Sequence, residues 1–588
     1  MNIILLRRGI LPVAFTIVIT GLFFSMRHIA IPFHALYRDA SLTIDVRVED
    51  LLSRMTTNEK IGQLALVEKN SITDTSDISS YGIGALLSGG GGNPIQNTPK
   101  TWLAMVNDFQ HAAQNSRLSI PLLYGVDAIH GHSNVLGATI FPHALGLGAT
   151  KDTDLVRRIG EITAQEISAT GVNWNFSPTV DVVDDTRWGR TYETFSSNPI
   201  IVSELSVAYL TGLQSEFVMG TAKHYLGTGA MAWGSSTNPD FKIDQGATLL
   251  DETTMRATHL PPFAAAIDAG VNSIMVGHIS WNGVELSANH YLLTDVLKNE
   301  LGFDGFVVSD WNGVDEISSD KYLAMVTAIN AGVDMIMLPF DYKTFTTHMK
   351  RALDSGAISR ERLDDATRRI LRAKFSTGLF DTEPVEDEEL LTIGSPKHRT
   401  VAREAVRKSM VLLKDVNTLP LNKNFSHIVV AGSSANNLGR QSGGWTIEWQ
   451  GVDGNWIPGT TILDGIKNAV SENTKIEYSD TGFFSARNER ADIGIVIVGE
   501  APYAEGAGDN EHPELSTEDL QIIKNVKAIS KKTVIIIVSG RPLDIRPYVD
   551  SWDAVIAAWL PGSEGNGIAD VLFGDYLFTG TLPVNWPL

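Results

Sequence analysis

The stretch GFDGFVVSDW, from Gly302 to Trp311, decides how the chain is interpreted, because it is apolar in its middle and polar at its end. Its apolar residues predict a short, buried strand. The strand stops on Ser309, Asp310 and Trp311, which places a carboxylate and an indole at its carboxyl end. From these residues alone, Asp310 is either the N-cap of a following helix, a position that Asp favours, or a carboxylate held at the mouth of a site.

The same arrangement, an apolar segment that ends in polar residues, recurs over residues 41–380. IPLLYGVDAIHG (residues 120–131) carries Asp127, VMGTAKHYLG (218–227) carries Lys223 and His224, and VNSIMVGHISW (271–281) carries His278. Amphipathic, helix-like segments such as DTDLVRRIGEITAQEISATG (152–171) separate them. Strands that alternate with helices predict parallel βα units, and their repetition predicts a (β/α)8 barrel over residues 41–380. An open, doubly wound sheet is the alternative.

A second domain is predicted after residues 381–398, an acidic connection with proline and glycine that we interpret as a linker. The segment TVAREAVRKSMVLLKD (400–415) has apolar residues at helical spacing. Four later runs predict strands buried on both faces: HIVVAG (427–432), IGIVIVGE (493–500), TVIIIVSG (533–540) and AVIAAWL (554–560). Residues 399–588 are therefore predicted to form a smaller α/β domain.

Composition excludes several classes of function. The chain has 588 residues, 43% of them hydrophobic and 20% charged, which is typical of a globular protein of more than one domain. Its net charge of −21 argues against a nucleic-acid partner, because binding to phosphates requires clustered Lys and Arg. Cysteine is absent, which removes disulfides, thiol nucleophiles and cysteine-based zinc sites.

The N-terminal segment, residues 1–40, predicts export from the cytosol. The basic MNIILLRR is followed by an apolar run from Gly9 to Met26, the pattern of a secretory signal or of a signal anchor that tethers the protein to a membrane. The alternative is a buried N-terminal helix. The preferred interpretation places the folded part of the protein in an extracellular, cell-wall or periplasmic location.

Candidate chemical groups lie at the predicted strand ends and on one acidic loop. Lys223 and His224, together with Arg187 and Arg190 of RWGR, could keep Asp310 ionised and nucleophilic. Asp127 could grip two neighbouring hydroxyls. Paired indoles in GGWTIEWQG (443–451) suit the faces of sugar rings, although two core tryptophans are the alternative. The loop GEAPYAEGAGDNEHPELS (499–516) is rich in carboxylates but lacks the regular alternation of a calcium loop. A glutamate from this loop beside Asp310 would complete a two-carboxylate glycosidase site.

These blocks, taken in order, resemble glycoside hydrolase family 3, in particular its two-domain exo-β-glucanase and β-glucosidase branch. The resemblance covers nearly all of the chain after about residue 42, and it includes EKIGQL, YGVDAIHGHSNV, IFPHALGLGAT, RWGRTYE, AKHYLG, GFDGFVVSDW, REAVRKSMVLLK, GGWTIEWQG, GEAPYAEGAGD and SGRPL. A single such block would be a weak signal, whereas this number in the same order is a specific one.

The resemblance implies a barrel followed by an α/β sandwich domain, with an active site between them that needs neither a metal nor an organic cofactor. It implies that Asp310 is the catalytic nucleophile and that Glu505 is the general acid/base, with Glu500 as the nearest competitor. The residues that would bind a β-linked oligosaccharide or glucan are Asp127, Arg190, Lys223, His224, Met275, His278, Trp311 and Trp449. The implied reaction is retaining removal of terminal β-D-glucosyl residues.

Some features depart from the family pattern and leave alternatives open. His278 and Glu316 stand where the plant enzymes have a tyrosine and an arginine, which leaves the linkage preference open. The final LPVNWPL lacks the tail that the family pattern leads us to expect there. Either the sequence is truncated or the second domain ends in a different way. A β-xylosidase is one alternative. A β-N-acetylhexosaminidase is another, although the loop GTGAMAWGSSTNPDF (227–241) lacks the Asp-x-His pair of that branch. An inactive carbohydrate-binding protein of the cell wall is the third.

Overall fold

The computed structural model describes residues 35–382, 385–485 and 489–588. The apolar run predicted to direct export lies outside these residues. Across these three described ranges, none of the helices combines the length and the apolar character needed to cross a bilayer.

The first domain is built on eight parallel strands. They are β1 (Ala65–Glu68), β2 (Ala85–Ser88), β3 (Leu123–Val126), β4 (Trp174–Asn175), β5 (Met219–Tyr225), β6 (Ser273–Val276), β7 (Phe306–Val308) and β8 (Ile336–Leu338). The sheet order is β7-β6-β5-β4-β3-β2-β1-β8. Parallel bridging between Val308 and Met335 brings β7 next to β8, so the sheet is a nearly closed barrel. The predicted (β/α)8 fold is confirmed, and the open sheet is excluded.

Helices on the outside of the barrel connect these strands, as expected for parallel pairing. Their bounds are Ile44–Arg54, Thr57–Gln63, Ser76–Tyr81, Pro99–Gln114, Ala144–Thr150, Thr153–Ser168, Pro199–Ser215, Pro261–Asp268, Tyr291–Glu300, Lys321–Ala331, Tyr342–Ser355 and Arg360–Ser376. Two-residue strands in the loops after β5 and β6 form a small additional sheet: Ala247–Thr248, Ser280–Trp281 and Val284–Glu285.

Large aromatic side chains fill the inside of the barrel. Trp174 is fully buried, packs against Phe176 and Phe306 with ring centroids 4.8 and 5.5 Å away, and donates its indole N–H to Thr221 Oγ1 at 2.7 Å. On the neighbouring β3, Gly125 leaves room for this cluster, because a Cβ there would lie 2.3 Å from the Phe176 ring. The barrel is therefore a packed core whose functional surface lies at the strand ends.

The second domain is a six-stranded sheet with helices Pro396–Ser409, Leu438–Ser442, Ile462–Ala469, Thr517–Ile529 and Asn566–Leu572. Its strands are β9 (Val411–Asp415), β10 (His427–Ala431), β11 (Lys475–Ser479), β12 (Ile493–Gly499), β13 (Thr533–Val538) and β14 (Ala554–Trp559), in the order β9-β14-β13-β12-β10-β11. The four strands predicted from β-branched runs are present, and β11 is an additional strand, whose sequence KIEYS is not a continuous β-branched run.

The prediction of a helix through residue 415 is wrong at its end. The helix stops at Ser409, and the following residues form β9, which pairs antiparallel with β14. The residues Val411 to Leu413 are apolar and would fit either structure, so the available sheet edge decides between them. This is the only antiparallel pairing in the six-stranded sheet as described.

The two domains are joined by polar contacts near the carboxyl ends of the barrel strands. The Tyr192 hydroxyl donates to the Tyr503 carbonyl at 2.7 Å, and the Arg541 guanidinium donates to the Arg187 carbonyl at 2.9 Å. His143 Nε2 lies 2.9 Å from the Ser442 carbonyl oxygen. These bonds hold loops of the second domain over the end of the barrel where strand-end side chains collect.

Candidate active site

A cavity of about 390 Å³ lies between the carboxyl end of the barrel and the loops of the second domain. All ten residues predicted for the site line it: Asp127, Arg190, Lys223, His224, Met275, His278, Asp310, Trp311, Trp449 and Glu505. Seven of them come from barrel strands β3, β5, β6 and β7 or closely follow these strands, Arg190 comes from the loop after β4, and Trp449 and Glu505 come from the second domain. The interdomain fold therefore brings the predicted residues together.

Asp310 does not cap a helix. The next long helix begins at Lys321, and Asp320 caps it. Asp310 instead accepts a hydrogen bond from the Trp311 amide at 2.7 Å, and its other oxygen lies 4.0 Å from His224 Nε2. Its side chain is 19% exposed, so the carboxylate is held at the cavity wall and is accessible from the cavity.

His224 is held in one tautomer by its two partners. Its Nδ1 lies 2.8 Å from an Asp181 carboxylate oxygen, and its Nε2 lies 3.0 Å from Arg190, whose guanidinium can only donate. The proton is therefore on Nδ1, and Nε2 accepts from Arg190. Burial, together with the charges of Arg190 and Lys223, holds the pKa of His224 well below its ordinary value, so the imidazole is neutral.

Lys223 and Asp127 form an ion pair at the floor of the cavity, with Nζ 2.7 Å from Oδ1. Lys223 and His224 are adjacent on β5, where side chains ordinarily point to opposite faces. The pairing of β5 with β6 changes register between Ala222 and Tyr225, and both side chains line the cavity. Both residues therefore reach the cavity while they are still part of β5, without a loop in place of the strand.

Glu505 reaches the cavity from a loop of the second domain. Its backbone is in the left-handed region, with φ at 54°, and its carboxylate is 3.5 Å from the Arg190 guanidinium. Burial and the neighbouring charges of Asp244 and Asp310 raise the pKa of Glu505 to about 8, although Arg190 opposes the shift. A carboxyl group with this pKa is protonated at neutral pH and can act as a general acid.

Glu500, the competitor of Glu505, is used inside the second domain. It accepts hydrogen bonds from Arg541 Nε at 3.0 Å, the Tyr503 hydroxyl at 2.8 Å and the Gly540 amide at 3.0 Å. It is not among the residues that line the cavity. Of the two glutamates, only Glu505 can reach a ligand in this geometry.

Two carboxylates that sequence reasoning missed organise the site. Glu193 is buried and accepts from Arg190 at 3.0 and 2.9 Å and from the Trp445 indole at 3.0 Å. Asp244 is also buried, and it accepts from the Trp188 indole at 2.8 Å and from the Gly506 amide at 3.1 Å. Gly506 directly follows Glu505, so Asp244 fixes the loop that carries this glutamate. RWGRTYE contains Glu193, but Asp244 had no sequence signal.

Two partly exposed tryptophans stand at the mouth of the cavity. Trp311 is 36% exposed and Trp449 is 39% exposed. Trp445 is buried in the core of the second domain and also lines the cavity, so the alternative of two core tryptophans fails for Trp449. The backbone at Gly90 passes so close to Trp449 that a Cβ would lie 2.7 Å from its Cα. Only glycine permits this approach, which packs the barrel loop against the backbone of Trp449 in the second domain.

His278 and Glu316, the two departures from the family pattern, face each other, with Nε2 and Oε1 3.8 Å apart. Burial opposes protonation of His278, but Glu316 and the charge of Asp310 outweigh it and raise its pKa. The same contact with His278 lowers the pKa of Glu316. The pairing with Glu316 therefore favours the cationic form of the imidazole, in the cavity that Met275 of β6 also lines.

Comparison with known proteins agrees with this architecture. Residues 56–373 match the family model described as the glycosyl hydrolase family 3 N terminal domain, and residues 410–588 match the C-terminal domain of the same family. The periplasmic β-glucosidase of Salmonella typhimurium is 32% identical over 595 residues, covering 92% of this chain and 74% of the relative.

Two crystal structures are similar over most of the chain. A point mutant of the exo-1,3/1,4-β-glucanase from a Pseudoalteromonas species has a TM-score of 0.87 and 40% identity, covering 92% of this chain and 91% of that chain. A point mutant of a β-glucosidase from Listeria innocua in complex with laminaribiose has a TM-score of 0.79 and 26% identity, covering 92% and 76%.

Fold, cavity and similarity together define the class of this protein as a two-domain glycoside hydrolase. The chain belongs to glycosyl hydrolase family 3, as the family models covering both domains show. The resemblance inferred from the sequence motifs is therefore confirmed.

Proposed function

We propose that this enzyme is a retaining, exo-acting β-glucosidase or exo-β-glucanase that removes terminal non-reducing β-D-glucosyl residues from β-glucans and oligosaccharides. The observation that carries the proposal is the meeting of Asp310 and Glu505, from two domains, in one cavity whose mouth is flanked by two tryptophans. A carboxylate beside a protonated carboxyl group is the pair that retaining glycosidases require. The similar β-glucosidases and exo-β-glucanase support the choice of glucosides.

In the first step, an Asp310 oxygen attacks the anomeric carbon while Glu505 donates its proton to the glycosidic oxygen. The bond between the anomeric carbon and the leaving oxygen breaks, the aglycone leaves with that proton, and a glycosyl ester forms on Asp310. The raised pKa of Glu505 suits this step, because the carboxyl group is still protonated near neutral pH.

In the second step, Glu505 is a carboxylate and removes a proton from water as the water attacks the anomeric carbon. The bond to Asp310 breaks, and glucose leaves with its original β configuration. Both carboxyl groups return to their starting states. Formation of a negative charge on Asp310 in this step also favours reprotonation of Glu505, because the charge of Asp310 raises the pKa of Glu505.

The floor of the cavity suits the non-reducing glucosyl unit. The ion pair of Lys223 with Asp127 and the fixed imidazole and guanidinium of His224 and Arg190 present donors and acceptors for neighbouring ring hydroxyls. Trp311 and Trp449 are placed to hold the second sugar between apolar faces. The laminaribiose complex of the Listeria innocua neighbour supports a β-linked disaccharide as a ligand.

Export from the cytosol is part of the same proposal. The basic and apolar N-terminal sequence supports it, as does the similarity to a periplasmic β-glucosidase. An extracellular or periplasmic location would expose the enzyme to polymeric β-glucans.

The proposal is tested with 4-nitrophenyl glycosides and with the variants Asp310→Ala, Glu505→Ala and Glu500→Ala. We expect the wild type to prefer the β-glucoside over the β-xyloside and the N-acetyl-β-glucosaminide. Asp310→Ala loses orders of magnitude in kcat. Azide rescues Glu505→Ala and gives β-glucosyl azide, since the azide anion attacks the anomeric carbon of the glycosyl ester in place of water and needs no general base. Azide does not rescue Glu500→Ala, whose defect is lower stability.

Several outcomes would contradict the proposal. Full activity of Asp310→Ala would exclude the nucleophile, and azide rescue of Glu500→Ala instead of Glu505→Ala would exchange the acid/base assignment. Turnover restricted to the xyloside or to the N-acetylglucosaminide would favour the corresponding alternative enzyme, and no turnover with intact binding would indicate a carbohydrate-binding protein.

A further inference from the structure

A phenylalanine outside the cavity extends its aromatic mouth. Phe340 lies in the turn after β8, and 69% of it is exposed. Its ring meets that of Trp311 edge to face, with centroids 5.9 Å apart and planes at 87°. A single exposed phenylalanine is ordinary on a protein surface, but this one adjoins an indole already placed to hold a sugar.

A second, shallow cavity of about 70 Å³ begins where the first one ends. Met337 lines both cavities, and Asn312, the residue directly after Trp311, lines the second. Asn312 has a φ of 54°, a left-handed turn that Asn tolerates better than most side chains and that leads the chain from the first cavity into the second. The linings of the two cavities therefore adjoin at Met337 and at the ring contact between Trp311 and Phe340.

The second cavity combines an apolar wall with polar groups. The ring of Phe340 provides the wall, and the polar residues include Asp315 and Lys321, whose charged groups lie 3.4 Å apart and are largely exposed. Aromatic faces with a few hydrogen-bonding groups are suited to carbohydrate. The small volume means that a sugar would lie across this surface and would not be enclosed by it.

From this geometry we infer that Phe340 forms a third sugar subsite, which binds the unit after the two sugars held by the main cavity and the tryptophan pair. The inference rests on the proposed function and makes it more specific, since the ligand is a β-glucan oligosaccharide of three or more units. Such a subsite favours an enzyme that removes glucose from the ends of longer chains over one that acts only on disaccharides.

The test compares kcat/KM for 4-nitrophenyl β-glucoside, laminaribiose and laminaritriose in the wild type, Phe340→Ala and Phe340→Trp. We expect Phe340→Ala to lower kcat/KM about three- to tenfold for laminaritriose, the size of one aromatic contact, and less than about twofold for the two shorter substrates. Phe340→Trp keeps an aromatic face and should retain at least half of the wild-type value for laminaritriose.

Phe217→Ala is the matched control. Phe217 is an equally exposed phenylalanine, at 67%, but it lies just before β5, at the opposite end of the barrel. This variant should leave all three values unchanged. Thermal unfolding of each variant is measured as well, and we expect midpoints close to that of the wild type.

The outcomes separate this inference from the proposed function. If Phe340→Ala lowers the disaccharide and trisaccharide values equally, Phe340 supports Trp311 and forms no subsite of its own. If no value changes while the wild type cleaves all three substrates, the third subsite is refuted and the proposed function stands. If the wild type cleaves none of them, the proposed function fails and the inference fails with it.

Discussion

Replacement of Asp244 by asparagine should move the alkaline limit of activity to lower pH. Asp244 accepts hydrogen bonds from the Trp188 indole and from the amide of Gly506, next to Glu505. Its negative charge is one of the causes that raise the pKa of Glu505 to about 8, after burial and against Arg190. Removal of a like charge favours ionisation, so Glu505 should lose its proton at lower pH.

The size of this effect follows from Coulomb's law. For a like charge at a separation of about 6–8 Å, the scale of neighbouring side chains in one site, an effective dielectric constant of about 20 gives about 2–3 kcal/mol. Because one pKa unit corresponds to about 1.36 kcal/mol, the alkaline limb should move down by about 1.5–2 pH units. Rearrangement of the Gly506 hydrogen bond by the new amide could change kcat at all pH values, but it would not move the limb by itself.

The assay is the pH profile of kcat/KM for an aryl β-glucoside, which reports the groups of the free enzyme. The acid limb should stay in place, and activity at pH 7 should fall about four- to tenfold as the protonated fraction of Glu505 falls. Glu511→Gln is the control, because Glu511 is exposed on the same loop and does not line the cavity. An Asp244→Asn profile that is lower at every pH but has an unmoved alkaline limb would refute the electrostatic reasoning and leave Asp244 a purely structural role.

Two further predictions concern stability and the departures from the family pattern. Asp334 is fully buried and accepts hydrogen bonds from Lys298 at 2.8 Å and from Arg362 at 2.5 Å. Because Asp334→Ala leaves both cations without this partner, it should lower the free energy of unfolding by about 3–5 kcal/mol. A loss below about 1 kcal/mol in denaturant unfolding would contradict this. Glu316→Gln should lower the pKa of His278, because Glu316 raises it, and an unchanged titration of the His278 imidazole by NMR would contradict the pairing.

The sequence predicts the barrel and the floor of its site because these depend on local pattern. A strand that ends in a polar residue delivers that residue to the carboxyl end of a parallel sheet, which is where Asp127, Lys223, His224, His278 and Asp310 lie. The family motifs then supply the partner glutamate on the second domain. The strands of that domain are recognised equally well where they are continuous and β-branched.

The remaining features depend on contacts that no local pattern encodes. Spacing cannot separate Glu500 from Glu505, because the choice follows from Arg541, which binds the first and leaves the second facing the cavity. Asp244 reaches the site through its hydrogen bond with the amide of Gly506, which lies 262 residues later in the chain. Likewise, the residues after Ser409 form a strand because the edge of β14 is available to them.

The central claim, that Asp310 is the nucleophile of a double displacement, is tested most directly by trapping the glycosyl ester. Incubation with 2-deoxy-2-fluoro-β-D-glucosyl fluoride should inactivate the enzyme and leave one fluoroglucosyl group per chain. Proteolysis and mass spectrometry should locate that group on Asp310, within the peptide that contains GFDGFVVSDW. A label on Glu505 or on any other residue, or continued release of glucose with inverted configuration and no label, would contradict the account.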